Sequence, residues 1–151
     1  MNPRIAYAKA SPETYDAISK VGAHLAQAFP DHRLKALVEL RVSQINGCAF
    51  CLDMHSNQAR ALGEAQQRLD CLSAWREVSF YTEKERAALA WAEAITLVSE
   101  THVPDEVYEE AKRHFSEKEL VDLTAVIGVM NLWNRLSISF RAQPREKPAK
   151  G

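Results

Sequence analysis

The sequence predicts an all-α domain of six to seven helices, and three observations predict it. Apolar residues recur at three- and four-residue steps through most of the chain. Most of the prolines and glycines fall between those periodic segments. No stretch shows the sustained strict alternation of a half-buried strand. A chain of 151 residues suits one domain and buries roughly 68–70% of its unfolded surface. Its core therefore needs neither a metal nor a disulfide.

Taken in order, Ser11-Pro12 reads as an N-cap followed by proline at the first helical position. Tyr15, Ile18, Val21, Gly22, Leu25 and Phe29 follow at helical steps until Pro30. Asp31 can cap a second helix that carries Leu34, Leu37, Val38, Val42 and Ile45 on one side. Asn46-Gly47 closes it, since both residue types accept the left-handed conformation. A third helix is expected from about Cys48 to near Gly63, and a shorter one over Glu64–Trp75. Thr82 with Glu85, and Ser116 with Glu119, fit capping boxes. Long helices are expected after them, near 83–99 and 117–140. Between these, Pro104 starts another amphipathic segment, PDEVYEEAKRHF. The domain is expected over 1–140. Residues 141–151, RAQPREKPAKG, read as a mobile C-terminal tail, being charged and poor in apolar groups.

The formal net charge of −1 argues against a protein built chiefly to hold nucleic acid or an anionic membrane. The longest uncharged apolar-rich stretch, Leu123 to Asn134, is too short to span a bilayer. The first residues, MNPRIAYAKASPE, lack the apolar run of a signal peptide, so a cytoplasmic location is expected. Three cysteines make a structural disulfide framework unexpected in that setting.

Two of those cysteines lie in C-A-F-C-L-D-M-H, residues Cys48 to His55. If this segment is helical, Cys48 sits in the first turn, where free backbone N–H groups and the helix dipole favour a thiolate. Cys51 follows three residues on along the same face, and His55 one turn further. An imidazole there can accept a thiol proton or pair with a thiolate. Nucleophile, partner thiol and base thus come from one local segment, which points to dithiol redox chemistry. Two other readings stand beside it. Buried cysteines serve as small hydrophobes. Alternatively, Cys48, Cys51 and His55, with Cys71 as a fourth ligand, could hold structural zinc, although such pairs usually sit on a knuckle rather than opening a helix. Glu39 lies nine residues before Cys48, and a carboxylate near His55 could set its tautomer. The plain alternative for Glu39 is a helix-face charge paired with Lys35 or Arg41.

The run from Glu39 through S-Q-I-N-G to C-x-x-C-x-x-x-H resembles the core of the alkylhydroperoxidase D (AhpD)-like proteins of the carboxymuconolactone decarboxylase family. The helix E-R-A-A-L-A-W-A-E-A from Glu85, and N-L-W-N-R from Asn131, are similar to later helices of that group. The resemblance covers roughly residues 10–140. It implies a thiol-dependent peroxidase on an all-helical fold that assembles into trimers or hexamers. Carried over, Cys51 attacks a hydroperoxide, Cys48 resolves the sulfenic acid to a disulfide, and His55 with Glu39 relays a proton. The helix N-terminus instead favours Cys48 as the more readily ionised thiol. The chain departs from the AhpD pattern in two places. Phe50 stands where AhpD has a second histidine, and Ala36 occupies the position of its glutamate. The carboxymuconolactone decarboxylases proper lack the C-x-x-C, which disfavours that activity here.

No G-x-G-x-x-G occurs, so no flavin or nicotinamide cofactor is expected, and no metal is assigned. The expected partners are a hydroperoxide, an external thiol reductant or reductase, and further copies of the same chain, with no nucleic acid and no membrane. The alternative is a non-enzymatic helical oligomer whose C-x-x-C senses redox state or holds zinc. Among the remaining residues, Cys71 reads as a buried small apolar group. His24, His32, His102 and His114 read as surface or satisfied histidines. Trp75, Trp91 and Trp133 read as core or interface residues, and Phe80 or Tyr81 as candidates to line the substrate's path. Asn131, Asn134 and Arg135 lie in an otherwise apolar helix and need partners, which a subunit interface or helix-end contacts would supply.

Overall fold

The computed structural model describes residues 1–146. Among them are only helices, turns and loops: α1 (Tyr7–Ala10), α2 (Pro12–Ala28), α3 (His32–Asn46), α4 (Ala49–Ala61), α5 (Gln66–Asp70), a 3-10 helix (Leu72–Glu77), α6 (Glu83–Thr96), α7 (Val98–Thr101), α8 (Asp105–His114) and α9 (Glu117–Ser139). The seven expected helices are recognisable in this list, with local differences. The short helix expected over 64–75 is instead α5 followed by the 3-10 helix. Cys71 stands between the two, and Ala74 departs from helical geometry. The helix expected to run to 99 ends at Thr96, and α7 continues after Leu97. The tail expected over 141–151 lies partly in residues 147–151, outside the described residues.

Most of the capping expectations hold. The Leu34 N–H donates to Asp31 Oδ1 at 3.0 Å. Both capping boxes close in both directions, Thr82 with Glu85 and Ser116 with Glu119. Ser11 differs: its hydroxyl bonds the Thr14 hydroxyl at 2.8 Å and accepts from no helix N–H. Pro12 at the first position leaves one fewer orphan donor to satisfy.

The third helix, α3, is the centre of the molecule. One side packs Leu34, Val38 and Val42 into a core shared with α2, α6, α8 and α9. The other side packs Ala36, Leu37 and Leu40 against α4, the 3-10 helix and α6. A helix buried on both sides reads as more apolar than a surface stripe, and the density of Leu, Val and Ala in Leu34–Val42 reflects that.

Helix α9 is keyed to α3 by a buried polar ladder. Asn134, with no exposed surface, donates to Ser43 Oγ at 3.2 Å and accepts from Asn46 Nδ2 at 2.9 Å. Asn46 also donates to Asn131 Oδ1 at 3.0 Å. The polar residues of α9 thus find partners inside the chain. Asn134→Ala is expected to lower stability by about 2–3 kcal/mol, because it leaves a cavity and strips buried groups of their partners. Urea unfolding of the two proteins measures this.

Candidate active site

Gly47 adopts φ +67°, a left-handed conformation that side chains with a Cβ rarely take. It ends α3 and turns the chain so that Cys48 caps α4. Cys48 is therefore the N-cap of α4, one position before its first turn. Its Sγ accepts from the Cys51 N–H at 3.3 Å. Cys48 and Cys51 are joined as a disulfide, with 5.3 Å between their Cα atoms. Both are almost wholly buried.

Cys51, His55 and Gln58 follow one another along α4, while α3 brings Lys35 and Glu39 to the same place. Glu39 Oε2 lies 3.6 Å from His55 Nδ1, and Glu39 Oε1 pairs with Lys35 Nζ. Glu39 is buried and does both things the sequence left open: it approaches His55 and it pairs with Lys35. Ala36, which the resemblance puts at the position of the AhpD glutamate, is buried in the second core. The four predicted site residues Glu39, Cys48, Cys51 and His55 are thus brought together in one region.

Gln58 is a partner the sequence reading missed. Its Oε1 lies 3.1 Å from His55 Nδ1. An amide oxygen only accepts, so a neutral His55 carries its hydrogen on Nδ1 and leaves the lone pair on Nε2. That Nε2 is buried and bonds no protein group. In the neutral ring it is the acceptor nitrogen. The available signal was helical spacing, since Gln58 is one turn past His55.

Burial lowers the His55 pKa below its ordinary value. Glu39 and the Gln58 bond pull the other way, and Lys35 adds to the lowering. The unfolded chain therefore binds a proton at His55 more readily than the folded one. The stability contributed by neutral His55 is complete above about pH 6.5, the unfolded value. It is lost as pH falls from there through the folded value. Thermal melts of wild type and His55→Gln across pH 5–8 check this. The wild type is expected to lose more stability toward pH 5.

Cys51, His55, Glu39 and Lys35 open on a cavity of about 350 Å³. Its other walls are Tyr7 from α1, Tyr15 and Gly22 from α2, Phe50, Met54 and Gln58 from α4, and Val129, Met130, Trp133 and Ser137 from α9. Cys51 lines this space and Cys48 does not. The expected involvement of Phe80 or Tyr81 is not found. Tyr81 is buried in the second core, its hydroxyl donating to the Arg68 carbonyl, and neither residue lines the cavity. Cys71 is a free thiol, half-buried rather than fully buried. Among the described residues, no three His, Cys, Asp or Glu side chains gather as metal ligands. No helix among them is long and apolar enough to cross a membrane.

The sequence pattern of the carboxymuconolactone decarboxylase family matches residues 12–94, more than half of the chain, and the chain belongs to that family. The chain is similar to YdfG, an uncharacterized protein of Bacillus subtilis (strain 168), with 42% identity over 139 residues; the match spans 92% of this chain and 95% of YdfG. The fold is shared with ATU0492 of Agrobacterium tumefaciens, a protein of unknown function suggested to be the antioxidant defence protein AhpD. That match has a TM-score of 0.93 and 44% identity, covering 96% of this chain and all of the other. The debrominase Bmp8 shares the fold more distantly, with a TM-score of 0.76 and 24% identity over 91% of this chain and 74% of its own.

Proposed function

We propose that the protein is a thiol-dependent peroxidase that reduces hydroperoxides through a Cys48–Cys51 dithiol/disulfide cycle. The observation that carries the reading is the shared cavity. A disulfide-bonded cysteine, Cys51, and a histidine with a buried, unpartnered Nε2 line the same space, one helical turn apart. His55 takes the Cys51 proton, and the thiolate attacks the terminal oxygen of R–O–O–H. The S–O bond forms as the O–O bond breaks, and the alkoxide leaves with the proton returned by His55. Cys51 is oxidised to a sulfenic acid and the peroxide is reduced to an alcohol. The Cys48 thiol then attacks the Cys51 sulfur, and water leaves as the disulfide closes. An external thiol reductant supplies two electrons and two protons to reopen it. Such a cycle belongs in the cytoplasm, where thiol reductants are maintained.

The test is turnover. Reduced protein is mixed with excess cumene hydroperoxide and a dithiol, and peroxide loss is counted per subunit. Consumption of many equivalents supports the reading. Loss of a single equivalent instead indicates a one-shot redox sensor. Stoichiometric zinc in protein prepared without chelators, lost in Cys48→Ser, indicates the metal-holding alternative.

The lowered His55 pKa sets the pH profile. The base form of His55 persists below pH 6.5, so the acid limb of kcat/KM is expected below that value. Removing the Glu39 charge takes away the influence that raises this pKa. In Glu39→Gln the acid limb is therefore expected to move lower still. A limb above pH 6.5 in wild type contradicts this role for His55.

The same reading makes the protein a homo-oligomer, a trimer or a hexamer. Val121, Leu132 and Ile138 of α9 are apolar and exposed in the single chain, and association covers such surface. Light scattering is expected to give a multiple of 17.0 kDa. A monomer mass contradicts it.

A further inference from the structure

Resting on the peroxidase reading, we infer that Lys35 is a positioning residue of the site: it holds Glu39 by one oxygen, so that the other stops short of His55 and engages the ring only when the ring takes the Cys51 proton. The two oxygens of Glu39 are used differently. Oε1 accepts from the Lys35 ammonium. Oε2 is buried, has no hydrogen-bond partner and lies 3.6 Å from His55 Nδ1. That is outside hydrogen-bond distance, and the Nδ1 hydrogen of the neutral ring goes to Gln58 instead. A buried oxygen without a partner is rare and costly, so an idle Oε2 needs a reason. A charged His55 supplies one. Beside an imidazolium, Oε2 becomes half of an ion pair, and it is idle only while the ring is neutral.

The placement of Lys35 explains why Oε2 stays back. Lys35 and Glu39 are four residues apart on α3, so their side chains meet on one face. Their side chains are only 14% and 12% exposed, and charges at that depth are screened less than a surface pair. Among the described residues, Lys35 is the only Lys or Arg and Glu39 the only carboxylate that lines the cavity. The other titratable groups on its walls are Cys51 from α4, Tyr7 from α1 and Tyr15 from α2, while α9 brings the uncharged Ser137. The field at His55 is therefore set by one ion pair, in which Glu39 draws a proton to the ring and Lys35 repels it. Without the tether on Oε1, the carboxylate is free to close on Nδ1 in place of Gln58. The base is then held charged before Cys51 needs it.

The test is a cycle of Lys35→Met and Glu39→Gln, singly and together, with Lys35→Arg as the variant that keeps the charge and a donor. The first measurement needs no turnover. The His55 ring is titrated by NMR in the disulfide form, where Cys51 does not titrate. Lys35→Met is expected to take up its proton about one pH unit above wild type. Lys35→Arg is expected to stay close to wild type. In the Glu39→Gln background, Lys35→Met is expected to give a clearly smaller shift, because the carboxylate it would release is gone. Should Lys35→Met not fold, Lys35→Ser, which admits water to the freed Oε1, is titrated in its place. The second measurement is the acid limb of kcat/KM for cumene hydroperoxide, expected to move up in Lys35→Met and down in Glu39→Gln. An unmoved titration in Lys35→Met overturns the proposal, and so does an equal shift in both backgrounds, which makes Lys35 a plain neighbouring charge. An acid limb that stays put while the titration moves also overturns it, since His55 is then not the base that Lys35 serves. If wild type consumes no peroxide, the peroxidase reading falls, and the titrations still decide whether Lys35 holds Glu39 off the ring.

Discussion

Cys51→Ser is expected to reduce peroxide turnover to background, a loss on the order of 10³-fold or more, as removal of a nucleophile generally does. The substitution deletes the only cysteine that lines the cavity. A serine hydroxyl beside His55 does not replace it, since a far smaller fraction is ionised at neutral pH and oxygen is the weaker attacker of an O–O bond. The fold should survive. Serine is close in size, and the α4 N-cap belongs to Cys48. Far-UV circular dichroism should therefore be unchanged, which separates loss of chemistry from loss of structure. Cys48→Ser is expected to behave differently. It keeps the attacking thiol and consumes one equivalent of peroxide, but it cannot close the disulfide. Its steady-state rate with a dithiol then depends on direct reduction of the sulfenic acid.

The second large effect is expected at His55. His55→Ala should lower kcat/KM for hydroperoxide by about 10²–10³-fold, within the range of general acid–base contributions. Two functions are lost together: acceptance of the Cys51 proton and its delivery to the leaving alkoxide. Glu39→Gln should cost less, about tenfold to 10²-fold, because Gln58 still holds Nδ1 and keeps the correct tautomer. The Glu39→Leu, Gln58→Leu double variant removes both Nδ1 acceptors. It should approach His55→Ala if the tautomer is what they maintain. Single-turnover kinetics of the reduced wild type and the three variants, read at several pH values, measure these effects.

Much of this site was legible because its essential spacing is local. C-x-x-C-x-x-x-H on one helix puts three reactive side chains on one face without any tertiary information, and Asn46-Gly47 marked the turn that sets Cys48 at the helix start. The caps at Asp31, Thr82 and Ser116 were legible for the same reason, since each is satisfied within three residues. Glu39 was half legible. Its pairing with Lys35 follows from i, i+4 spacing, but its approach to His55 depends on how α3 and α4 cross. The aromatic wall was not legible. Tyr7, Tyr15 and Trp133 come from both ends of the chain and meet only because α2 packs on α9. The break between α5 and the 3-10 helix was hidden too, because no proline or glycine in Gln66–Glu77 marks it. Phe80 and Tyr81 read as candidates to line the substrate's path, yet Tyr81 fills the second core. Composition alone does not tell a wall of a pocket from a plug of a core.

The proposed cycle rests on attack by Cys51, the cysteine that lines the cavity. The most direct measurement treats reduced Cys48→Ser and reduced Cys51→Ser with one equivalent of cumene hydroperoxide in the presence of dimedone, and maps the adduct by mass spectrometry. Rapid peroxide-dependent labelling of Cys51 is expected in Cys48→Ser, and none on Cys48 in Cys51→Ser. Rapid labelling of Cys48 with Cys51 left unmodified contradicts it, and would make the helix-capping thiol the nucleophile.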